Sequence, residues 1–143
     1  MGLILAWAAA PTAWARSEAL WNATARIESG GDEAARNRRE DAVGIVQIRR
    51  ACLDDANRIA RLRGLDLQFR PRDRYDVEKS RQIWELYLSY YGEEYERATG
   101  APPTEEVYAR IWNGGPVGWR KRQTLSYWRR IIQAMRETAE PVG

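Results

Sequence analysis

The spacing of apolar residues near the start of the chain predicts an amphipathic helix. Positions i, i+3, i+4 and i+7 are taken by Leu20, Ala23, Thr24 and Ile27. Residues at this spacing lie on one face of a helix. Ser17 is a suitable N-cap, and the glycines at 30–31 supply the left-handed conformation that ends helices. We therefore expect the first helix from about residue 17 to residue 28.

The segment that follows, residues 30–44, is polar and charged, and it predicts a loop or small irregular lobe. A small hairpin within residues 31–47 is the only strand pairing that the pattern indicates. A second helix is expected from about residue 48 to residue 63, with Gly64 as its stop. Its predicted inner face consists of Ile48, Cys52, Ala56, Ile59 and Ala60.

Three further helices are predicted in the second half of the chain. Asp76 caps the third, whose apolar stripe runs to Tyr91 before Gly92. The segment 93–100 either extends that helix or folds back as a short turn. Thr104 caps a fourth helix that ends in an Asn-Gly-Gly-Pro turn at 113–116. A last helix opens at Thr124 or Ser126, with its inner face formed by Leu125, Trp128, Ile131, Ile132 and Met135.

The first 15 residues carry no charge and end in Ala-Trp-Ala, a small-x-small pattern of the kind that precedes signal cleavage. This apolar stretch is too short to span a bilayer, which takes about 20 apolar residues. We expect an export signal that is cut after Ala15 and a single domain over residues 16–143. The positively charged start of a signal is missing, so an extra apolar helix is the alternative. Export would make the protein secreted or periplasmic.

Composition restricts the possible chemistry. The chain has no His and one Cys, so His-based triads, most zinc sites and an intramolecular disulfide are excluded. A net charge of +3 is a mild basic bias and does not indicate nucleic-acid binding. Seven Trp and seven Tyr stand against one Phe. Such rings suit a groove that stacks on sugars or bases, and many of them would simply pack in the core. Carboxylate chemistry without a cofactor or metal is what remains.

Glu28 is the leading candidate for that chemistry. It lies in the last turn of the first helix, where the unpaired carbonyl groups carry partial negative charge. A carboxylate is disfavoured there, so the pKa of Glu28 should be raised, as a general acid near neutral pH requires. A lone Glu at a helix end is more often a solvated residue. The motifs downstream change that judgement.

Three motifs occur in a fixed order: Glu-Ser-Gly-Gly at 28–31, Gly-Ile-Val-Gln-Ile at 44–48, and Ile-Trp-Asn-Gly-Gly-Pro at 111–116. The first two resemble the signature of lytic transglycosylases within the lysozyme-like superfamily. The segment 108–118, followed by Tyr-Trp at 127–128, is similar to the end of invertebrate-type lysozymes. The resemblance spans about residues 18–131. It implies a mostly α, lysozyme-like single domain with a small irregular or hairpin segment after the catalytic helix.

The resemblance also implies an activity. Glu28 would protonate the glycosidic oxygen between N-acetylmuramic acid and N-acetylglucosamine in peptidoglycan, the expected partner of a monomeric protein that inserts into no membrane. The expected substrate-binding residues are Ser29, Gln47, Tyr108, Asn113 and Gly114. Gln47 could instead be a satisfied structural amide, and the Asn-Gly pair could be only a turn. Basic clusters at 49–50, 119–122 and 129–130 would fit an anionic wall, or would be solvated helix faces.

The sequence does not decide which residue is the second catalytic group. Invertebrate-type lysozymes carry an Asp after the Glu, and the candidates here are Asp41, thirteen residues after Glu28, then Glu40 and Asp32. Asp41 is our first choice, although it could equally be a solvated acid. If no second carboxylate is in reach, one Glu can act first as acid and then as base, and the muramyl 6-hydroxyl closes a 1,6-anhydro ring. The alternatives to an enzyme are an inactive wall-binding domain and a helical nucleic-acid binder.

Overall fold

The computed structural model describes residues 16–139, which form five α-helices around a small antiparallel sheet. The elements in chain order are α1 (Glu18–Ser29), β1 (Arg36–Asn37), β2 (Ala42–Val43), β3 (Ile48–Arg49), α2 (Arg50–Leu62), α3 (Val77–Thr99), α4 (Glu105–Gly114) and α5 (Thr124–Ala139). Two 3-10 turns, Pro71–Tyr75 and Gly118–Arg120, precede α3 and α5. The mostly helical fold with a small hairpin segment after the first helix is confirmed.

The ends of α1 are those that the sequence predicts. The hydroxyl of Ser17 accepts a hydrogen bond from the backbone N–H of Leu20, at 3.1 Å, and so satisfies one of the free donors at the helix start. Gly30 has φ +67° and closes the helix in the left-handed conformation. Glu28 is consequently in the last turn, as expected.

The sheet occupies the segment that was predicted as a loop or hairpin. Its strand order is β1-β2-β3, with Arg36 paired to Val43 and Val43 paired to Ile48. Because β3 takes up the residues at 48–49, α2 begins two residues later than predicted. Its buried face includes Leu53, which the sequence analysis left out, whereas Cys52 is only partly buried.

Helix α3 continues through Gly92 to Thr99, so of the two alternatives for residues 93–100 the extended helix is confirmed and the short turn is not. Gly92 is buried, and a Cβ atom at this position would lie 2.7 Å from Cε1 of Tyr108 on α4. The glycine therefore permits close packing of two helices, which offsets its low helix propensity.

Helix α5 turns a different face to the core from the one predicted. Its buried residues are Thr124, Tyr127, Ile131 and Ala134. Of the predicted face, only Ile131 is fully buried, and the other four residues lie at its edges. This rotation matters for function because it directs Tyr127 towards α1, with which α5 makes extensive contact.

The core is one continuous cluster between the helices. Its largest fully buried side chains include Trp84 on α3, Leu20 on α1, Ile111 on α4 and Ile131 on α5. Within residues 16–139, no helix is long and apolar enough to cross a membrane. The expected export signal at residues 1–15 lies outside the part of the chain that the structure describes.

Candidate active site

One open cleft of about 870 Å³ runs across the face of the molecule between the sheet, α2 and the end of α4. Its walls are formed by Glu28, Asn37, Glu40, Ala42, Gln47, Arg49, Ala51, Cys52, Asp54, Asp55, Arg58, Arg61, Tyr87, Trp112, Asn113, Gly115 and Pro116. The three sequence motifs thus meet at one site: each contributes at least one residue to these walls.

Glu28 enters the cleft from the last turn of α1 and is held there by α5. The phenol of Tyr127 donates a hydrogen bond of 2.8 Å to Oε1 of Glu28. Tyr127 is 5% exposed, so this bond is shielded from water. One carboxylate oxygen of Glu28 is therefore fixed in place by a residue 99 positions away in sequence.

The surroundings of Glu28 favour its protonated form. Burial raises the pKa of this carboxyl, and the charge of Glu40 raises it further. The hydrogen bond from Tyr127 and the charges of Arg49 and Arg130 act in the opposite direction but do not cancel the effect of burial. The raised pKa was predicted, but its main cause is burial in the cleft, and the helix end that the sequence analysis invoked is not among the causes.

The glycine of the second motif is required by a close approach of two backbone segments. Gly44 has φ +87°, and a Cβ atom there would lie 1.8 Å from the carbonyl oxygen of Arg74. The buried guanidinium of Arg74 donates to the carbonyl groups of Asp41, at 2.8 Å, and Ile48, at 3.0 Å. Arg74 thereby fastens the 3-10 turn before α3 to both ends of the hairpin that forms the cleft floor.

Gln47 and Asn113 both line the cleft. Gln47 has φ +54°, and its Nε2 donates to the carbonyl groups of Gly44, at 2.9 Å, and Ala35, at 3.3 Å. Its Oε1 accepts no hydrogen bond from residues 16–139, and the Asn113 amide forms none with them. The Nε2 group of Gln47 thus has the structural role of a satisfied amide, whereas its Oε1 has no partner among these residues, on a side chain that lines the cleft.

The two neighbouring acids at 40 and 41 are placed differently. Glu40 lines the cleft and forms an ion pair of 2.8 Å with Arg49, which also lines it. Asp41 does not line the cleft; its carboxylate is 3.5 Å from Arg74, and its φ is +47°. The structure therefore brings Glu40 together with Glu28, and it does not bring Asp41, our first choice, into the same cavity wall.

Three of the expected substrate-binding residues lie outside the cleft wall. The Ser29 hydroxyl donates to the carbonyl of Ile45, at 2.7 Å, and so ties the end of α1 to the hairpin. Tyr108 packs under the guanidinium of Arg16, 4.6 Å from its ring centroid. A Cβ atom at Gly114 would lie 2.5 Å from Thr124, so this glycine allows α4 to approach α5. Each of the three supports the framework around the cleft.

Several residues in or beside the cleft were not predicted from the sequence. The apolar stripe assigned to α5 left out Tyr127, although Tyr-Trp at 127–128 belongs to a recognised motif. Four charged residues of α2 that line the cleft were also missed: Asp54, Asp55, Arg58 and Arg61. Their helical spacing places them on one face of α2, opposite its buried face. Trp112 packs against the core, lines the cleft and also donates from Nε1 to the carbonyl of Val46, at 3.2 Å.

The fold is that of the lysozymes. The structure is similar to the crystal structure of Tapes japonica lysozyme, with a TM-score of 0.65, 23% sequence identity, and coverage of 80% of this chain and 87% of that chain. In sequence, 43 residues are 46% identical to a lysozyme of Magallana gigas, and this match spans 30% of the chain and 31% of that relative. The chain thus matches about a third of the relative's length. No family model matches it.

Proposed function

We propose that this protein is a peptidoglycan glycosidase that cleaves the β-1,4 bond between N-acetylmuramic acid and N-acetylglucosamine, with Glu28 as general acid. The observation that carries the proposal is the position of Glu28: a carboxyl with a raised pKa, held by Tyr127, on the wall of an 870 Å³ cleft. The lysozyme fold and the lysozyme relative named above support the same substrate class.

In the first step, protonated Glu28 donates its proton to the glycosidic oxygen. The bond between the anomeric carbon and this oxygen breaks, and its electron pair leaves with the oxygen. Positive charge then develops on the sugar ring. The ionised Glu28 next accepts a proton from the group that attacks the anomeric carbon, which is either water or the muramyl 6-hydroxyl. The nature of this group separates hydrolysis from 1,6-anhydro transglycosylation.

We infer that Glu40, rather than Asp41, is the second carboxylate. Glu40 lines the cleft and its charge acts on Glu28, whereas Asp41 is directed to Arg74. A carboxylate in this position would stabilise the positive charge on the ring or attack it directly. The ion pair with Arg49 holds the Glu40 carboxylate in place for that role.

Gln47 and Asn113 are proposed to bind the substrate. The free Oε1 of Gln47 can accept a hydrogen bond from a sugar hydroxyl or an N-acetyl N–H group, and the free amide of Asn113 can both donate and accept. Trp112 and Tyr87 supply apolar surface on the same wall, where their rings meet edge to face at a centroid distance of 5.8 Å. Polar groups of this kind on an apolar wall orient a sugar chain.

The experiment that tests the assignment compares the parent protein with Glu28→Gln on purified peptidoglycan. We expect the variant to fold and to lose at least about 100-fold in rate, since it lacks the acid. Glu33→Gln, on the exposed loop outside the cleft, is the matched control and should retain full activity. Equal lysis by Glu28→Gln and the parent would refute the role of Glu28. Binding of wall material without released muropeptides by either protein would identify an inactive wall-binding domain.

Mass spectrometry of the released fragments distinguishes the two product chemistries. A reducing end on the muramyl sugar is the product of hydrolysis, whereas a 1,6-anhydro end is the product of transglycosylation. Because peptidoglycan lies outside the cytoplasm, we also propose that the chain is exported with cleavage after Ala15. N-terminal sequencing of the mature protein tests this: a first residue of Arg16 is expected, and retention of Met1 would refute it.

A further inference from the structure

Helix α2 presents a row of charged side chains to the cleft. Asp54, Asp55, Arg58 and Arg61, which we term the charged wall, all line the cavity. They recur at i, i+1, i+4 and i+7, and therefore occupy one face of the helix, opposite the buried face. Seven residues of helix correspond to about 10 Å, so the charged wall extends well along the cleft.

The two central residues of the charged wall, Asp55 and Arg58, already have hydrogen-bond partners within the protein. Arg58 donates to Asp55 at 2.7 Å and to the Tyr91 hydroxyl at 3.2 Å, while that hydroxyl donates to the second oxygen of Asp55. The guanidinium of Arg58 also lies over the ring of Tyr90, at 5.4 Å. These contacts fix Asp55 and Arg58 in position and leave them little freedom to engage a ligand.

Arg61, at the end of the charged wall, is different. Its side chain is exposed to the cleft, and its guanidinium forms no hydrogen bond or ion pair with residues 16–139. Asp54, at the other end of the charged wall, is paired with Arg50 at 3.2 Å. Both partners of that pair are more than half exposed, so it contributes little to stability. This end of the cleft therefore offers five N–H donors that no described residue uses.

The chemistry of the proposed substrate contains a matching group. The sugar backbone of N-acetylglucosamine units is uncharged, but peptidoglycan carries carboxylates on its stem peptides, and on the muramyl lactyl group wherever the peptide is absent. A guanidinium binds a carboxylate through two parallel hydrogen bonds. We propose that Arg61 binds a carboxylate on the muramyl substituent, so that the cleft selects acid-bearing strands over neutral N-acetylglucosamine polymers. The inference rests on the proposed function.

A kinetic comparison of Arg61→Ala with the parent tests the inference on three substrates: intact peptidoglycan, amidase-treated strands that keep only the lactyl carboxylate, and N-acetylglucosamine oligomers. We expect kcat/KM to fall about five- to tenfold on at least one of the two acidic substrates and to stay unchanged on the neutral oligomers. A loss on intact polymer alone assigns the contact to a stem-peptide carboxylate, and a loss on the amidase-treated strands alone assigns it to the lactyl carboxylate. A loss on both shows that Arg61 binds whichever carboxylate the muramyl substituent carries. Equal losses on all three, or none on any, would overturn the inference.

Controls and a binding measurement separate this inference from the proposed activity. Arg129→Ala removes an exposed arginine of α5 that does not line the cleft, and it should match the parent on every substrate. Arg61→Lys, which keeps the charge but loses the forked donors, should recover part of the loss. In the Glu28→Gln background, calorimetry with a soluble muropeptide should give a Kd about five- to tenfold weaker when Arg61 is also replaced by Ala. An unchanged Kd overturns the inference even if no cleavage occurs.

Discussion

The phenol of Tyr127 on α5 donates a 2.8 Å hydrogen bond to Oε1 of Glu28 on α1. Burial and the neighbouring Glu28 raise the pKa of Tyr127 well above its ordinary value, so the phenol remains a donor throughout the range in which Glu28 titrates. The bond gives the carboxyl a fixed orientation, and it lowers a pKa that burial alone would raise further. Tyr127 is therefore placed to position the proposed acid and to tune its acidity.

Replacement of Tyr127 by Phe should move the pH dependence of cleavage. Without the hydrogen bond, the pKa of Glu28 rises further, so the basic limb of kcat/KM should shift to higher pH. The rate at the optimum should fall about three- to tenfold because the carboxyl is less well oriented. A pH–rate profile of both proteins on soluble glycan fragments measures both effects.

The control for this variant is Tyr95→Phe, whose ring packs edge to face on Trp119 away from the cleft. It should leave the profile unchanged. If Tyr127→Phe also leaves the basic limb in place, the hydroxyl has only a packing role.

The raised pKa of Glu28 predicts a pH-dependent difference in stability. Below the ordinary value of 4.5, the carboxyl is protonated in both the folded and the unfolded state and contributes no difference. As pH rises through the raised pKa, the folded state must ionise a buried group, so the free energy of unfolding decreases. Glu28→Gln cannot ionise and should therefore melt at a higher temperature than the parent at pH 7, with the difference lost near pH 4.

Thermal melts followed by circular dichroism at both pH values check this prediction, with exposed Glu33→Gln as the control. A difference in Tm that is the same at pH 4 and pH 7 would contradict it, because the effect would then come from packing and not from ionisation.

The placement of the two acids at 40 and 41 predicts unequal effects on activity. Glu40→Gln should reduce kcat by about 100-fold or more if Glu40 stabilises the charged ring. Asp41→Asn should retain most activity, since Asn tolerates the positive φ of this residue and its backbone carbonyl still accepts from Arg74. Steady-state rates on purified peptidoglycan measure the two variants. The opposite order would return the catalytic role to Asp41.

Gly44 and Gly31 form a matched pair for the stability of the cleft floor. Both have positive φ, but only at Gly44 would a Cβ atom collide with backbone, the carbonyl oxygen of Arg74. Gly31→Ala should cost about 1–2 kcal/mol in the free energy of unfolding, from backbone strain alone. Gly44→Ala should cost more than about 3 kcal/mol, because the collision adds to the strain. Urea unfolding measures both values, and equal costs would show that the close approach has no energetic importance.

Local patterns in the sequence predicted most of the helices. Ser17, Asp76 and Thr104 each accept a hydrogen bond from the backbone N–H three residues later, as N-cap residues do. Local preference was insufficient where tertiary packing overrides it. Gly92 is a helix breaker by propensity, but it lies inside α3 because Tyr108 needs the space.

The candidate site was predicted in part, through motifs. Glu28, Gln47 and Asn113 do line one cleft. Glu28 and Asn113 lie in the last turns of α1 and α4, and Gln47 lies in the turn before β3. The partners of Glu28 could not be predicted from the sequence, since the contact with Tyr127 depends on the rotation of α5 about its axis. Adjacent residues such as Glu40 and Asp41 could not be separated either. Both lie in the turn between β1 and β2, and the sequence did not predict the positive φ that the backbone takes there at Asp41.

The hydrogen bond from Tyr127 on α5 to Glu28 on α1 has a consequence during protein synthesis. During synthesis, Glu28 leaves the ribosome long before Tyr127, since 99 positions separate them. A nascent or prematurely terminated chain that lacks α5 carries the glutamate without its phenolic partner and without the helix that shields it. Such fragments should have a carboxyl of ordinary acidity, so the proposed lytic activity would be confined to chains whose translation has been completed.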